Sequence, residues 1–83
     1  MEQNSINSEF AKKSKEQIIK FLETYQMNYK DQGRIIDVYK GHTLFIEIKE
    51  QSIQLMNDQN QLLANGTVLD VMEALNGTLS FTV

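Results

Sequence analysis

The spacing of apolar residues changes from a period near 3.6 to a period of 2 at Gly33, and that change limits the folds open to this chain. Before it, Phe10, Ser14, Ile18, Phe21, Leu22, Tyr25 and Tyr29 recur three and four apart. That is the repeat of a helix with one buried stripe, weakened only at Ser14. Lys12, Lys13, Glu16, Lys20 and Glu23 fall on the opposite face. Asn7 or Ser8 supplies an N-cap, and Asp31, Gln32 and Gly33 break the pattern, so an amphipathic helix over about residues 8–29 is expected.

After Gly33 the repeat is two. Ile36 and Val38 alternate against Ile35, Asp37 and Tyr39; Leu44, Ile46 and Ile48 against Phe45, Glu47 and Lys49; Ile53 and Leu55 against Gln54 and Met56. These are strands, and residues 61–64 form a short fourth one. Loop lengths fix the registers, because residues directly opposite in an antiparallel pair share a face. Ile48 faces Ile53 across Glu50-Gln51 or a four-residue turn. Leu55 facing Leu63 leaves Asp58, Gln59 and Asn60 as a loop, with Asn60 in the left-handed seat. Val38 facing Leu44 leaves Lys40, Gly41 and His42, with the glycine one place early, so a bulge or longer loop is expected.

Thr67 then caps a second helix over about residues 67–76, with Asp70 placed to favour its N-terminus. Val68, Val71, Met72 and Leu75 form its buried side, and Gly77 is expected to close it in a left-handed conformation. Leu79, Phe81 and Val83 alternate in a last strand. The expected fold is an α+β two-layer sandwich of order α-β-β-β-β-α-β, with a mainly antiparallel sheet and both helices on one face. Residues 1–6 read as a polar tail and residues 7–83 as one domain.

A chain of 83 residues has room for one core, and a domain this short has a thin stability margin. With no cysteine there are no disulfides, thiolate nucleophiles or sulfur-bound zinc, which leaves a partner subunit as reinforcement. No apolar run approaches a membrane span and the N-terminus lacks a signal pattern, so a cytoplasmic location is expected. Two Asn-Gly-Thr triplets, at Asn65 and Asn76, are read as turns. The abundance of Lys, Asn, Gln and Ile matches an AT-rich bacterial or phage genome.

A net charge of −3 and a single arginine, Arg34, disfavour nucleic-acid binding, which needs clustered cations. Lys12, Lys13, Lys15 and Lys20 are the alternative candidates for phosphate contact, with a solvated helix face as the plainer account. His42, the one histidine, stands in a hairpin loop with no nucleophile or orienting acid placed beside it, so no catalytic residue is assigned. Asn57-Asp58-Gln59-Asn60 lacks the glycine and closing glutamate of a calcium loop; no metal or cofactor is expected. Tyr25 and Tyr29 at the helix end could stack on a ligand, with core packing the simpler reading.

One constellation exceeds these expectations. The registers put Asp37, Phe45, Met56 and Leu62 opposite one another on the sheet face away from the helices, with Ile35 and Tyr39 beside them. Such a face is ordinarily polar. The reading is a non-catalytic protein-interaction or regulatory domain that contacts a protein partner, a homodimer included, through Ile35, Tyr39, Phe45, Met56 and Leu62. The alternatives are a nucleic-acid-associated protein and an accessory or ligand-binding subunit completed by another chain.

Overall fold

The computed structural model describes residues 8–40 and 42–80. Helix α1 spans Glu9–Thr24 and begins where the Ser8 side chain accepts a hydrogen bond from the Ala11 N–H at 3.0 Å. Of the two expected caps, Asn7 lies outside the described residues. The buried side of α1 is Ala11, Ser14, Ile18 and Leu22.

The helix ends five residues before the expected boundary at 29. Gln26 takes φ 56, its N–H donates to Glu23 O at 3.1 Å, and the Met27 N–H donates to Leu22 O at 2.8 Å. This pair of bonds closes a helix in a left-handed C-terminal turn, here with glutamine in the seat that glycine usually takes. Met27 follows it into the core, while Tyr25 is left exposed. The chain then forms strand β1, Asn28–Asp31, so Tyr29 belongs to a strand and not to the helix. Gly33, at φ 94, serves the next hairpin, where the Gln32 N–H donates to Ile35 O at 2.9 Å.

Strands β2 (Ile35–Lys40), β3 (His42–Ile48), β4 (Ile53–Asn57) and β5 (Leu62–Gly66) follow as an antiparallel meander in the order β1-β2-β3-β4-β5. Ile48 faces Ile53, and the Lys49 N–H donates to Ser52 O at 2.8 Å, so Glu50-Gln51 is the turn. Val38 faces Leu44 without the expected bulge, because pairing runs on through Tyr39 and Thr43 to Lys40 and His42; Gly41 lies outside the described residues. In the β4–β5 hairpin Asn60 has φ 63, and the Asn57 side-chain oxygen accepts the N–H groups of Gln59 and Gln61, both at 2.9 Å. The register then shifts: Met56 faces Leu62, but Leu55 faces Ala64. Leu63, expected in the core opposite Leu55, is the extra residue of this irregularity and is exposed.

Helix α2 spans Val68–Ser80. The Asp70 carboxylate accepts from the Thr67 N–H at 2.9 Å and from its hydroxyl at 3.2 Å, fixing the first turn. Gly77 lies inside this helix and does not close it; the helix runs through residues 78–80, where a strand was expected. Residues 81–83 lie outside the description, as does the tail assigned to residues 1–6. The fold is α+β in two layers, with five consecutive strands between two helices.

Ile18 and Leu22 of α1 share one buried cluster with Val71 and Leu75 of α2 and with Ile36, Val38, Leu44, Ile46, Ile48, Ile53 and Leu55 of the sheet. Both helices therefore cover the same sheet face. Polar ties join the layers at their edges. The Ser8 N–H donates to Glu50 Oε1 and the Ser8 hydroxyl to the Glu50 carbonyl, while Arg34 pairs with Glu50 Oε2 at 2.8 Å. Lys15 pairs with Asp31 at 2.9 Å.

Candidate interaction face

Because alternate strand residues point to opposite faces, burial of Ile36, Val38, Leu44 and Ile46 beneath the helices turns Ile35, Asp37, Tyr39, Phe45 and Glu47 the other way. Pairing then lines up Lys30, Asp37, Phe45, Met56 and Leu62 across all five strands. All five residues proposed from sequence, Ile35, Tyr39, Phe45, Met56 and Leu62, lie on this uncovered face. Ile35, Tyr39 and Leu62 are 41%, 43% and 54% exposed, and Phe45 and Met56 are half-buried. Ile35, Phe45, Glu47, Met56 and Asn60 line a shallow hollow of about 230 Å³.

Asp37 differs from the rest of the face. It is only 8% exposed although neither α1 nor α2 covers it. Ile35 and Tyr39 flank it along β2, Phe45 stands opposite on β3 and Lys30 opposite on β1. Its Oδ2 accepts from the Gln32 side-chain amide and, at a long 3.5 Å, from the Tyr39 hydroxyl. Its Oδ1 is buried and has no hydrogen-bond partner. The sequence gives Asp37 its row but no sign of this burial, which follows from Gln32 folding back across the β1–β2 turn.

The lysines proposed as an alternative do not converge. Lys15 is engaged with Asp31, and Lys12, Lys13 and Lys20 are exposed on α1. Glu9, Glu16 and Glu23 recur every seven residues along the same helix and are exposed too, so the outer face is of mixed sign. The carboxyl of Asp31 is pushed up by burial, but the Gly33 N–H and the Lys15 ammonium outweigh this and hold it below the usual range. Tyr25 stacks at a tilt on Phe21, ring centroids 4.7 Å apart. The Tyr29 hydroxyl donates to Glu23 at 2.8 Å, and chiefly this bond raises its pKa.

A second apolar surface, not foreseen from sequence, lies between the helices. Phe10, Gln17, Val68 and Leu69 contribute to a hollow of about 320 Å³, and Phe21, Tyr25 and Met72 to one of about 280 Å³. Leu69, which breaks the expected helix face, is 64% exposed. Among the described residues no three His, Cys, Asp or Glu side chains are grouped to hold a metal ion, and no helix is long and apolar enough to cross a membrane. No protein-family model, curated protein or solved structure matches the chain.

Proposed function

We propose that this chain is a non-catalytic protein-interaction domain whose open sheet face seats another protein. The observation that carries this reading is the row Asp37, Phe45, Met56 and Leu62, which crosses four strands on a face that neither described helix covers. Tyr39 and Leu62 are about half exposed, so covering what remains would contribute on the order of 1 kcal/mol each. Aromatic and aliphatic side chains around a desolvated polar centre are what binding hot spots are built from.

The test is the pair Tyr39→Lys with Leu62→Lys, chosen because both side chains are already exposed. The double variant should melt as the parent does. It should lose the protein that the parent retains from the cell that makes it, or, if that protein is a second copy, lose concentration-dependent sedimentation. Retention of either association by the double variant would remove the face from the account.

A further inference from the structure

The two edges of the sheet are unlike, and the difference bears on how copies of this chain meet. Strands β1 and β5 are outermost, and among the described residues no strand pairs with their outer sides. An edge strand offers a row of unpaired N–H and C=O groups to any other strand, and charged side chains are a common bar to that pairing. β1 has such a bar. Lys30 and Asp31 are exposed within it, Lys15 of α1 pairs with Asp31 at 2.9 Å, and Glu23 accepts from Tyr29.

β5 has none. Residues 59–69 contain no charged side chain, although Asp58 and Asp70 stand immediately outside them. The irregularity at Leu63 displays a leucine, 43% exposed, where a guarded edge would carry a charge. The backbone is also turned for pairing. The Asn57 N–H donates to Gln61 O at 3.1 Å and the Lys49 N–H to Ser52 O at 2.8 Å. By alternation from both ends of β4, Ile53, Leu55 and Asn57 turn their backbone groups toward β5, and Gln54 turns its own toward β3. Asn65 faces Gln54 and is exposed, so its N–H and C=O point outward from the sheet.

The pattern of charge selects the occupant. In a two-fold contact each residue of β5 meets the same stretch of the other copy, so a charge there would stand close to its own duplicate. A chain of net charge −3 needs such a neutral stretch if two copies are to approach side by side. We propose that a second copy of this chain pairs antiparallel along β5, joining two five-stranded sheets into one continuous sheet. The two-fold axis of an antiparallel pair stands perpendicular to the sheet. Both open faces then lie on the same side, and Leu62 of each copy brings the two apolar rows together. This goes beyond the docking reading and stands without it, because backbone at the edge makes the contact.

The experiment is sedimentation equilibrium of the parent, Leu63→Lys and Tyr39→Lys over about a thousandfold range of concentration, with amide hydrogen exchange of the parent at both extremes. The parent should pass from the 9.6 kDa chain to a dimer. Its Asn65 amide should exchange at least about tenfold more slowly in the dimer, where it donates to the other copy. Leu63→Lys places a lysine on each edge and should weaken the dimer at least about tenfold, while melting as the parent does at concentrations where both are monomers. Tyr39→Lys, on β2 and away from the edge, should dimerise as the parent does.

A parent that stays monomeric throughout would overturn the proposal. So would a dimer in which Asn65 exchange is independent of concentration, or one that Leu63→Lys leaves undiminished. Loss of the dimer in Tyr39→Lys alone would move the contact to the open face and overturn the edge. If Leu63→Lys does not fold, the Asn65 exchange of the parent decides alone.

Discussion

The backbone N–H of Ser8 donates to Glu50 Oε1 at 3.0 Å, across forty-two residues of sequence, and so ties the start of α1 to the β3–β4 turn. The same carboxylate receives Arg34 on its other oxygen. The ion pair is more than a third exposed on both sides and contributes little by itself, whereas the Ser8 bond satisfies an amide at a helix start. Glu50→Ala should therefore cost about 1 kcal/mol in urea unfolding, and Glu50→Gln, which keeps the acceptor for Ser8, clearly less. Equal losses would mean that the charge and not the bond to Ser8 matters.

Gln26 holds φ 56 at the end of α1. A side chain in left-handed space costs about 1 kcal/mol relative to glycine. Gln26→Gly should stabilise the domain by roughly 0.5 to 1 kcal/mol in thermal melting, a gain rarely seen on introducing glycine.

Gly66 gives the opposite case. At φ 147 it occupies backbone space that few side chains enter, and a Cβ built there would overlap Asp70 Oδ2, the atom that caps α2. Gly66→Ala should destabilise by more than about 1 kcal/mol, and Asp70→Ala in the same background should cost little further, since the cap is already displaced.

Asp31 links stability to pH. Its folded carboxyl titrates below the unfolded one, so its contribution is complete above the ordinary aspartate range and is lost as pH falls through the depressed value. Asp31→Asn should be less stable than the parent near neutrality. The two should converge only once pH has fallen through the depressed value of Asp31, where both side chains are uncharged. A constant difference across the acid range would contradict the ion pair with Lys15.

These features differ in how far sequence could reveal them. The pairing of Met56 with Leu62, the left-handed Asn60 and the Ser8 cap follow from period and turn chemistry within a few residues. Strand β1 did not, because Tyr25 and Tyr29 prolong the spacing of the α1 stripe and Gln26 turns the chain without a glycine to mark it. Leu63 and Ala64 exchanged places through a one-residue irregularity that alternation alone does not detect. Gly77 looked like a helix end but sits inside α2. The burial of Asp37 arises from Gln32, Ile35, Tyr39 and Phe45 together, a relationship of tertiary structure rather than of any local pattern.

The central claim is that the uncovered sheet face, and not exposed apolar surface in general, is where this chain meets its partner. Leu62 and Leu69 allow the two to be separated, for they are 54% and 64% exposed on opposite layers of the fold. A photo-activatable phenylalanine analogue placed at Leu62 in one variant and at Leu69 in another, irradiated in the cell that makes the protein, measures the difference directly. The account expects a discrete covalent protein adduct from position 62 and none from position 69. Adducts of equal yield from both positions, or an adduct from position 69 alone, would contradict it.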